Sequence, residues 1–531
     1  MQIQTSDWIK YFPHKLPRPI QVEAINFALN SFINSNKKYV ILEAPVGTGK
    51  SAIAITLAKY FEENVYSPGQ KSTWLLTTQK ILQQQYKEEF QWLANIWSKT
   101  NYECVTKIGV SCQLGSWINK IFKSTYCDCI YVKDRNAFIE SEVSVTNIQF
   151  FLNHAEYASA NIQNRKLLVI DEAHNIENNI TDFVSVTLDK YIITYYGLNW
   201  IGYNRTLPYV VNWCKEVLLP KLEQVKISLD IKIKNIDKTT LLSSGEGKTI
   251  LKQLDEIDRY IRQLYRCIKL FVPSEWVMSN VEAENKIIIK PLFASKFTHD
   301  QLFRTADKIL LMSGTILDKN TYCKNIGITP SDVDFISLPS PFKVENRRIF
   351  VIKSGAMTYK EIDKSLPNVT RAIKQLVEKE HANQKGIIHC NSYKIVNYIN
   401  KNFKNNRILS HDSSNRMEMY NIHKSSPKPT VLLSPSLTEG IDLVDELSRF
   451  QIIVKVPYPY LGDNYVKEKM ERVEGWYAWE TAKTIIQAYG RSIRNEDDFS
   501  TTYILDSNFE YFYNKNNYLF PKWFKDALCF I

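Results

Sequence analysis

The stretch Tyr39-Val40-Ile41-Leu42-Glu43-Ala44-Pro45-Val46-Gly47-Thr48-Gly49-Lys50-Ser51 decides the fold. Tyr39 to Leu42 is a short apolar run that reads as a buried strand, and Ser51 to Tyr60, rich in Ala, Ile and Leu without a breaker, reads as a helix. Between them, Ala44-Pro45-Val46-Gly47-Thr48-Gly49-Lys50-Ser51 forms a phosphate cradle. Gly47 and Gly49 let consecutive backbone N–H groups face an anion, Lys50 brings a point charge to the β- and γ-phosphates, and Ser51 offers a hydroxyl to Mg²⁺. Ala44 stands where the general pattern has Gly.

Context separates this loop from an imitation. Gly245-Glu246-Gly247-Lys248-Thr249 also looks like the tail of a phosphate loop, but polar Asp237-Lys238-Thr239-Thr240 precedes it and no buried strand leads in. It reads as a loop and helix start. The helix that follows places Leu251, Leu254, Ile257, Ile261, Leu264 and Ile268 on one face, which is core periodicity.

Two further blocks supply the rest of a nucleotide site. Leu167-Leu168-Val169-Ile170-Asp171-Glu172-Ala173-His174 is an apolar run ending in two carboxylates, which suits a strand buried on both faces with its acids at the carboxyl end. Asp171 is expected to hold Mg²⁺ and Glu172 to take the proton of the attacking water. In Gln487-Ala488-Tyr489-Gly490-Arg491-Ser492-Ile493-Arg494, two arginines three apart share a helix face, and their forked donors suit a γ-phosphate whose charge is redistributing.

The bulk numbers bound the rest. A chain of 531 residues is long enough for roughly three to four domains. With 44% hydrophobic and 23% charged residues it fits a globular protein, and no apolar run is long enough to span a bilayer. Met1 to Lys15 lacks a signal-peptide core, so the expected location is the cytoplasm. The net charge of +11 permits a polyanion partner. Nine cysteines without a secretory signal argue against a disulfide framework. Cys104, Cys112, Cys127 and Cys129 are clustered, whereas Cys214, Cys267, Cys323, Cys390 and Cys529 are scattered and read as small buried hydrophobes.

The three blocks, in this order, resemble the superfamily 2 helicases, specifically the branch that contains XPD and DinG. Arg18-Pro19-Ile20-Gln21 looks like the adenine-side motif of that family and Leu75-Leu76-Thr77-Thr78-Gln79 like motif Ia. Leu311-Met312-Ser313-Gly314-Thr315-Ile316-Leu317 resembles motif III, with Gly314 where Ala is usual. Gly386 to Tyr393 is similar to motif IV and Ser434 to Asp442 to motif V, and the arginine block is motif VI. Independently, the strand candidates Gly386 to Cys390, Val431 to Ser434, Gln451 to Val456 and Thr501 to Leu505 alternate with helical stretches, a second parallel α/β unit.

The resemblance implies two RecA-like parallel-sheet motor lobes with an inserted Fe–S module and a mainly helical Arch-like insertion. The division expected is lobe 1 at 1–98, 146–178 and 298–320, the Fe–S module at 99–145, the Arch-like insertion at 179–297 and lobe 2 at 321–531. ATP would meet Lys50, Ser51, Asp171 and Glu172 from one lobe and Gln487, Arg491 and Arg494 from the other, with Arg18, Gln21, Gly440 and Asp442 also facing it. Thr77, Ser392 and Thr438 would touch phosphates of DNA. Four cysteines suit a 4Fe–4S cluster or zinc. Position within the chain favours iron, while the tight Cys127-Asp128-Cys129 spacing departs from the family's intervals. In the insertion, Tyr191, Tyr195, Tyr196, Trp200 and Tyr203 are candidates for base stacking, with core packing as the alternative.

The implied activity is that of an ATP-dependent motor on single-stranded DNA, moving 5′→3′, acting at DNA junctions and working as a monomer. Two alternatives stay open: a nucleic-acid-dependent ATPase that remodels RNA, R-loops or protein–DNA complexes without processive unwinding, and a nucleotide-switched DNA-binding subunit without catalysis. No extension precedes the motifs, so an appended exonuclease domain is not expected. The abundance of Asn, Lys, Ile and Tyr suggests an A+T-rich genome, and the compact length suits a phage or small bacterial relative.

Overall fold

A computed structural model describes residues 3–105, 109–121, 129–157, 162–236, 241, 244–412, 414–435, 443, 445–490, 493 and 498–531. The apolar runs become two sheets of seven strands each, parallel throughout. In the first sheet lie β1 (Tyr39–Glu43), β2 (Thr73–Thr77), β3 (Ala94–Asn95), β4 (Val143–Asn147) and β5 (Arg165–Asp171). After a small separate sheet of β6 (Val186–Asp189), β7 (Trp276–Val281) and β8 (Lys286–Pro291), the first sheet is completed by β9 (Ala306–Ser313) and β10 (Val333–Ser337). Its spatial order is β10-β1-β9-β5-β2-β4-β3.

That order positions the site. Central strands buried on both faces read as continuous apolar runs, and their connections must cross over as helices. Glu43 of β1 pairs with Ser313 of β9, and Asp171 of β5 pairs with Met312. The carboxyl ends of β1, β9 and β5 therefore open side by side, where open α/β sheets bind ligands. The chain leaves β1 into the phosphate cradle, and the helix Lys50–Asn64 follows directly.

The second sheet contains β11 (Ile349–Gly355), β12 (Gly386–His389), β13 (Ile408–Ser410), β14 (Val431–Ser434), β15 (Phe450–Ile453), β16 (Thr501–Asp506) and β17 (Leu528–Phe530), in the order β13-β14-β12-β15-β16-β11-β17. All four strand candidates of the second unit are among them. One boundary moves: β10 at Val333–Ser337 pairs with β1, so the first sheet takes an edge strand from the range expected of the second lobe. Its run of half-buried residues is an edge-strand pattern, too short to stand out from the linker around it.

Two insertions interrupt the first sheet. Between β2 and β4 come the helices Cys112–Ile121 and Ile130–Glu140, and between β5 and β9 the helices Leu219–Lys234 and Gly245–Leu270. Ser244 caps the latter by accepting from Gly247 N–H at 3.0 Å, so the false phosphate loop is a helix start. The β6-β8-β7 sheet in this insertion is antiparallel and was hidden inside a long helical reading. The insertions touch: Trp117 Nε1 donates to Asp255 Oδ1 at 2.9 Å, and Trp117 and Ile118 pack with Ile250, Leu251 and Leu254.

The two main sheets are joined by more than the linker. Trp479 Nε1 of the second lobe donates to Ile316 O of the first at 2.9 Å. Lys469 and Glu177, both nearly buried, form an ion pair across the same junction. Among the described residues no helix is long and apolar enough to cross a membrane.

Candidate active site between the two sheets

The cradle has the backbone its glycines were chosen for. Gly47 and Gly49 sit at φ of +83° and +77°, the left-handed region that costs an L-residue strain. A Cβ at Gly47 would also lie 2.1 Å from Phe342 Cζ, and one at Gly49 would lie 2.3 Å from Gln21 Nε2 and 3.0 Å from Arg18 Nη2. Arg18 and Gln21 thus stand against the cradle. Gln21 is itself fixed by accepting from Arg18 N–H at 2.8 Å. Ala44 is buried, Thr48 is buried with its hydroxyl on Pro45 O, and Pro45 and Val46 line the cleft between the lobes.

Below the cradle lies Glu43, buried at the end of β1. Its carboxylate accepts from Ile316 N–H at 3.0 Å, Leu317 N–H at 2.6 Å and the Ser337 hydroxyl at 2.5 Å. Burial pushes its carboxyl up by more than these three donors pull it down, so it stays above its ordinary value. One side chain thereby ties the cradle's root to the loop after β9 and to the end of β10.

Asp171 and Glu172 face the cradle from β5. Lys50 Nζ lies 3.2 Å from Glu172 Oε1, and His174 Nδ1 lies 3.3 Å from Glu172 Oε2 and 2.8 Å from Ser313 Oγ. Burial alone would raise Glu172, but Lys50 and His174 outweigh it and hold the carboxyl well below its ordinary value. Asp171 goes the other way: burial lifts it to about 6 against the pull of Lys50. Its Oδ1 accepts from Glu172 N–H at 2.9 Å and its Oδ2 from the buried Tyr86 hydroxyl at 3.1 Å. Two carboxylates pushed apart in this way divide labour, and a buried Asp171 is most comfortable charged when a cation stands beside it. Ser51 completes the group, its hydroxyl donating to Glu89 Oε2 at 3.2 Å. A serine hydroxyl and a carboxylate are oxygen donors of the kind that a divalent cation takes.

The second lobe closes the space. Gln487 Nε2 donates to Thr315 Oγ1 at 3.4 Å, Gly490 lies 3.6 Å from Val46 Cγ2 as measured to its would-be Cβ, and Ile486, Tyr489 and Ile493 line the same cleft as Lys50 and Glu172. Arg491, Arg494, Gly440, Asp442 and Thr438 lie outside the described residues. Sequence reasoning missed the linker. Phe342 lies on Gly47, and Arg347 Nε donates to Phe342 O at 3.1 Å while its Nη1 donates to Trp523 O. The Tyr489 hydroxyl donates to Arg347 O at 2.7 Å and its ring stacks on Trp523. A Ser-Pro-Phe in a connecting segment was the available signal.

The other site expectations divide. Thr77, expected to touch DNA, is fully buried with its hydroxyl donating to Gln79 O at 3.1 Å, because it ends a strand covered on both faces. Ser392 is half-buried at the start of the helix Tyr393–Asn402, with no capping bond from its side chain. Tyr191 and Tyr195 are exposed, whereas Tyr196, Trp200 and Tyr203 pack against the core. Cys214, Cys267, Cys323 and Cys390 are buried as expected, and Cys529 is partly so.

Of the clustered cysteines, Cys104, Cys112 and Cys129 are buried, and Cys127 lies outside the described residues. Burial, then the neighbouring Cys129 and Cys104, push the Cys112 thiol up to about 12. Gly115 lies tight against Cys104 Sγ. Among the described residues no group of three or more His, Cys, Asp or Glu side chains could hold a metal ion.

Two family models match the sequence, the helicase C-terminal domain over residues 373–527 and the res subunit of type III restriction enzymes over 14–198. A probable ATP-dependent helicase of Methanocaldococcus jannaschii is 22% identical, over 89% of this chain and 89% of its own. The ATP-dependent DNA helicase DinG of Photobacterium profundum is 27% identical over 44% of this chain and 37% of its own. Among solved structures, an XPD helicase superposes on 98% of this chain and 100% of its own with a TM-score of 0.64 at 15% identity, a likeness of fold.

Proposed function

The chain belongs to the XPD/DinG-like family of helicases, and from that premise we propose that it is an ATP-dependent DNA helicase moving 5′→3′ on single-stranded DNA. One observation carries the proposal: a cradle and an acidic strand end from one parallel sheet face Gln487 of a second across a single cleft.

In this reading ATP lies in the cradle, with Arg18 and Gln21 at its nucleoside end and Lys50 on its outer phosphates. Mg²⁺ held by Ser51 and Asp171 would neutralise charge on the β- and γ-phosphates. Glu172, ionised and oriented by Lys50 and His174, takes the proton from the attacking water. Arg491 and Arg494 follow Gln487 in the sequence and would stabilise charge on the γ-phosphate when the lobes close. Closure then depends on ATP, and hydrolysis releases it, which is a two-state element that a bound strand can be pulled through. Ser313 links the two events, since it contacts His174 in one lobe and lies two residues from Thr315, the partner of Gln487.

The cysteine-rich insertion is proposed to hold a 4Fe–4S cluster through Cys104, Cys112, Cys127 and Cys129. The insertion packs against the helical insertion through Trp117 and Ile118, and the wedge beside the strand is part of this proposal. A Cys112→Ser protein purified without oxygen is expected to lose the violet absorption of the cluster and its strand separation while keeping most DNA-stimulated ATP turnover. Normal unwinding without the metal contradicts the wedge.

The function itself is tested by ATP hydrolysis with and without single-stranded DNA, beside strand displacement on duplexes with a 5′ or a 3′ tail. DNA-stimulated hydrolysis and displacement from the 5′ tail alone are expected, with DNA affinity falling steeply as salt rises. Stimulation without displacement from either tail points to the remodelling alternative.

A further inference from the structure

The helix Lys80–Glu89 does something that neither the cradle nor the acidic strand end accounts for. Its first residues, Ile81, Leu82 and Gln85, line the cleft between the lobes. Its last turn carries Tyr86 and Glu89, three apart and so on one face. Tyr86 is buried, and its hydroxyl donates to Asp171 Oδ2 at 3.1 Å. Glu89 Oε2 accepts from the Ser51 hydroxyl at 3.2 Å, and its Oε1 lies 3.3 Å from His14 Nε2, which fixes the carboxylate. One turn of one helix therefore grips both side chains assigned above to Mg²⁺, although these come from different segments of the sheet.

Each grip leaves room for a metal. A carboxylate oxygen that accepts one hydrogen bond keeps a second lone pair, and a serine hydroxyl that gives its proton to Glu89 turns its lone pairs toward the cleft. The helix cannot roll away, because the buried Gln83 anchors it: its Nε2 donates to Asn95 Oδ1 at 2.5 Å and to Ile96 O at 2.8 Å, and its Oε1 accepts from Asn147 Nδ2 at 3.1 Å.

We propose that Tyr86 and Glu89 are positioning residues that hold Asp171 and Ser51 at the spacing Mg²⁺ requires, so that metal-dependent nucleotide binding is set by this helix. The inference rests on the nucleotide reading above and adds two residues that no motif contains.

The test reads binding, not turnover. The affinity of a fluorescent ATP analogue is measured in EDTA and across a Mg²⁺ titration for the parent chain and for Tyr86→Phe, Glu89→Gln and Glu89→Ala. The Mg²⁺ concentration at half of the tightening is expected to rise about tenfold in Tyr86→Phe and Glu89→Ala, the usual cost of removing a group that orients a metal ligand. Glu89→Gln, which keeps an acceptor for Ser51, shifts it less, and affinity in EDTA stays at the parent value. Glu89 is partly exposed, so its variants keep the test independent of the core around Tyr86. An unchanged midpoint in all three variants, while Ser51→Ala moves it, overturns the proposal. If Ser51→Ala and Asp171→Asn also leave it unmoved, the metal assignment itself falls and the positioning role falls with it.

Discussion

Glu172→Gln is expected to lower ATP turnover by about 10²- to 10⁴-fold while leaving nucleotide binding and the fold in place. The exchange keeps the shape of the side chain and removes its charge. Glu172 is ionised at the bottom of the cleft because Lys50 at 3.2 Å and His174 at 3.3 Å favour its charged form over the cost of burial. Asp171, raised to about 6 by burial, has both oxygens already held, by the Tyr86 hydroxyl and the Glu172 N–H, and stays charged most readily beside a cation. Single-turnover hydrolysis with and without DNA, beside equilibrium binding of ATP, reads the two effects separately. Hydrolysis within a few fold of the parent would remove Glu172 from the chemistry. The variant should also trap the closed, ATP-bound form on DNA.

Arg165→Met is expected to cost about 3–5 kcal/mol, a large share of the stability of a typical domain. Arg165 is almost completely buried at the start of β5. Its Nη1 donates to Thr73 O at 2.8 Å and Glu142 O at 2.9 Å, and its Nη2 to Phe138 O at 3.2 Å and Ile139 O at 3.1 Å. The guanidinium also stacks 3.5 Å from the centre of the Trp74 ring. It clamps the end of the helix Ile130–Glu140, the return from the cysteine-rich insertion, onto two strands of the sheet. A methionine fills the volume but leaves four carbonyls without this donor. Differential scanning calorimetry should show the first transition lowered by roughly 5–10 °C, with Arg165→Lys intermediate because a point charge cannot serve four acceptors or stack. A melting profile like the parent's would mean that those carbonyls find other partners.

What was legible in the sequence was chemistry carried by neighbours in the chain. The cradle, the Asp171–Glu172 strand end and the Gln487 helix announce themselves because strand, turn and catalytic group are consecutive. The second sheet was legible because β12, β14, β15 and β16 are apolar runs of the right length between helices. Contacts made at long range were not. Tyr86, Glu89, Phe342 and Arg347 look like ordinary helix and linker residues until the fold brings them to Asp171, Ser51 and Gly47. The β6-β8-β7 sheet failed for a related reason: β6 is separated from the adjacent pair β7 and β8 by helices that dominate the local periodicity. At Thr77 the motif match named a residue that the fold buries at a strand end, its hydroxyl donating to Gln79 O.

The central claim is that one nucleotide is held by two lobes that close on it, and the distance between the lobes tests it most directly. Labels at Tyr66 in the first lobe and Tyr359 in the second, which are 90% and 96% exposed, report that distance without disturbing either core. With a non-hydrolysable ATP analogue and single-stranded DNA the distribution should shift and narrow to one closed distance, and with ADP it should broaden again. A distribution that stays the same in all nucleotide states would contradict a motor built on closure of this cleft.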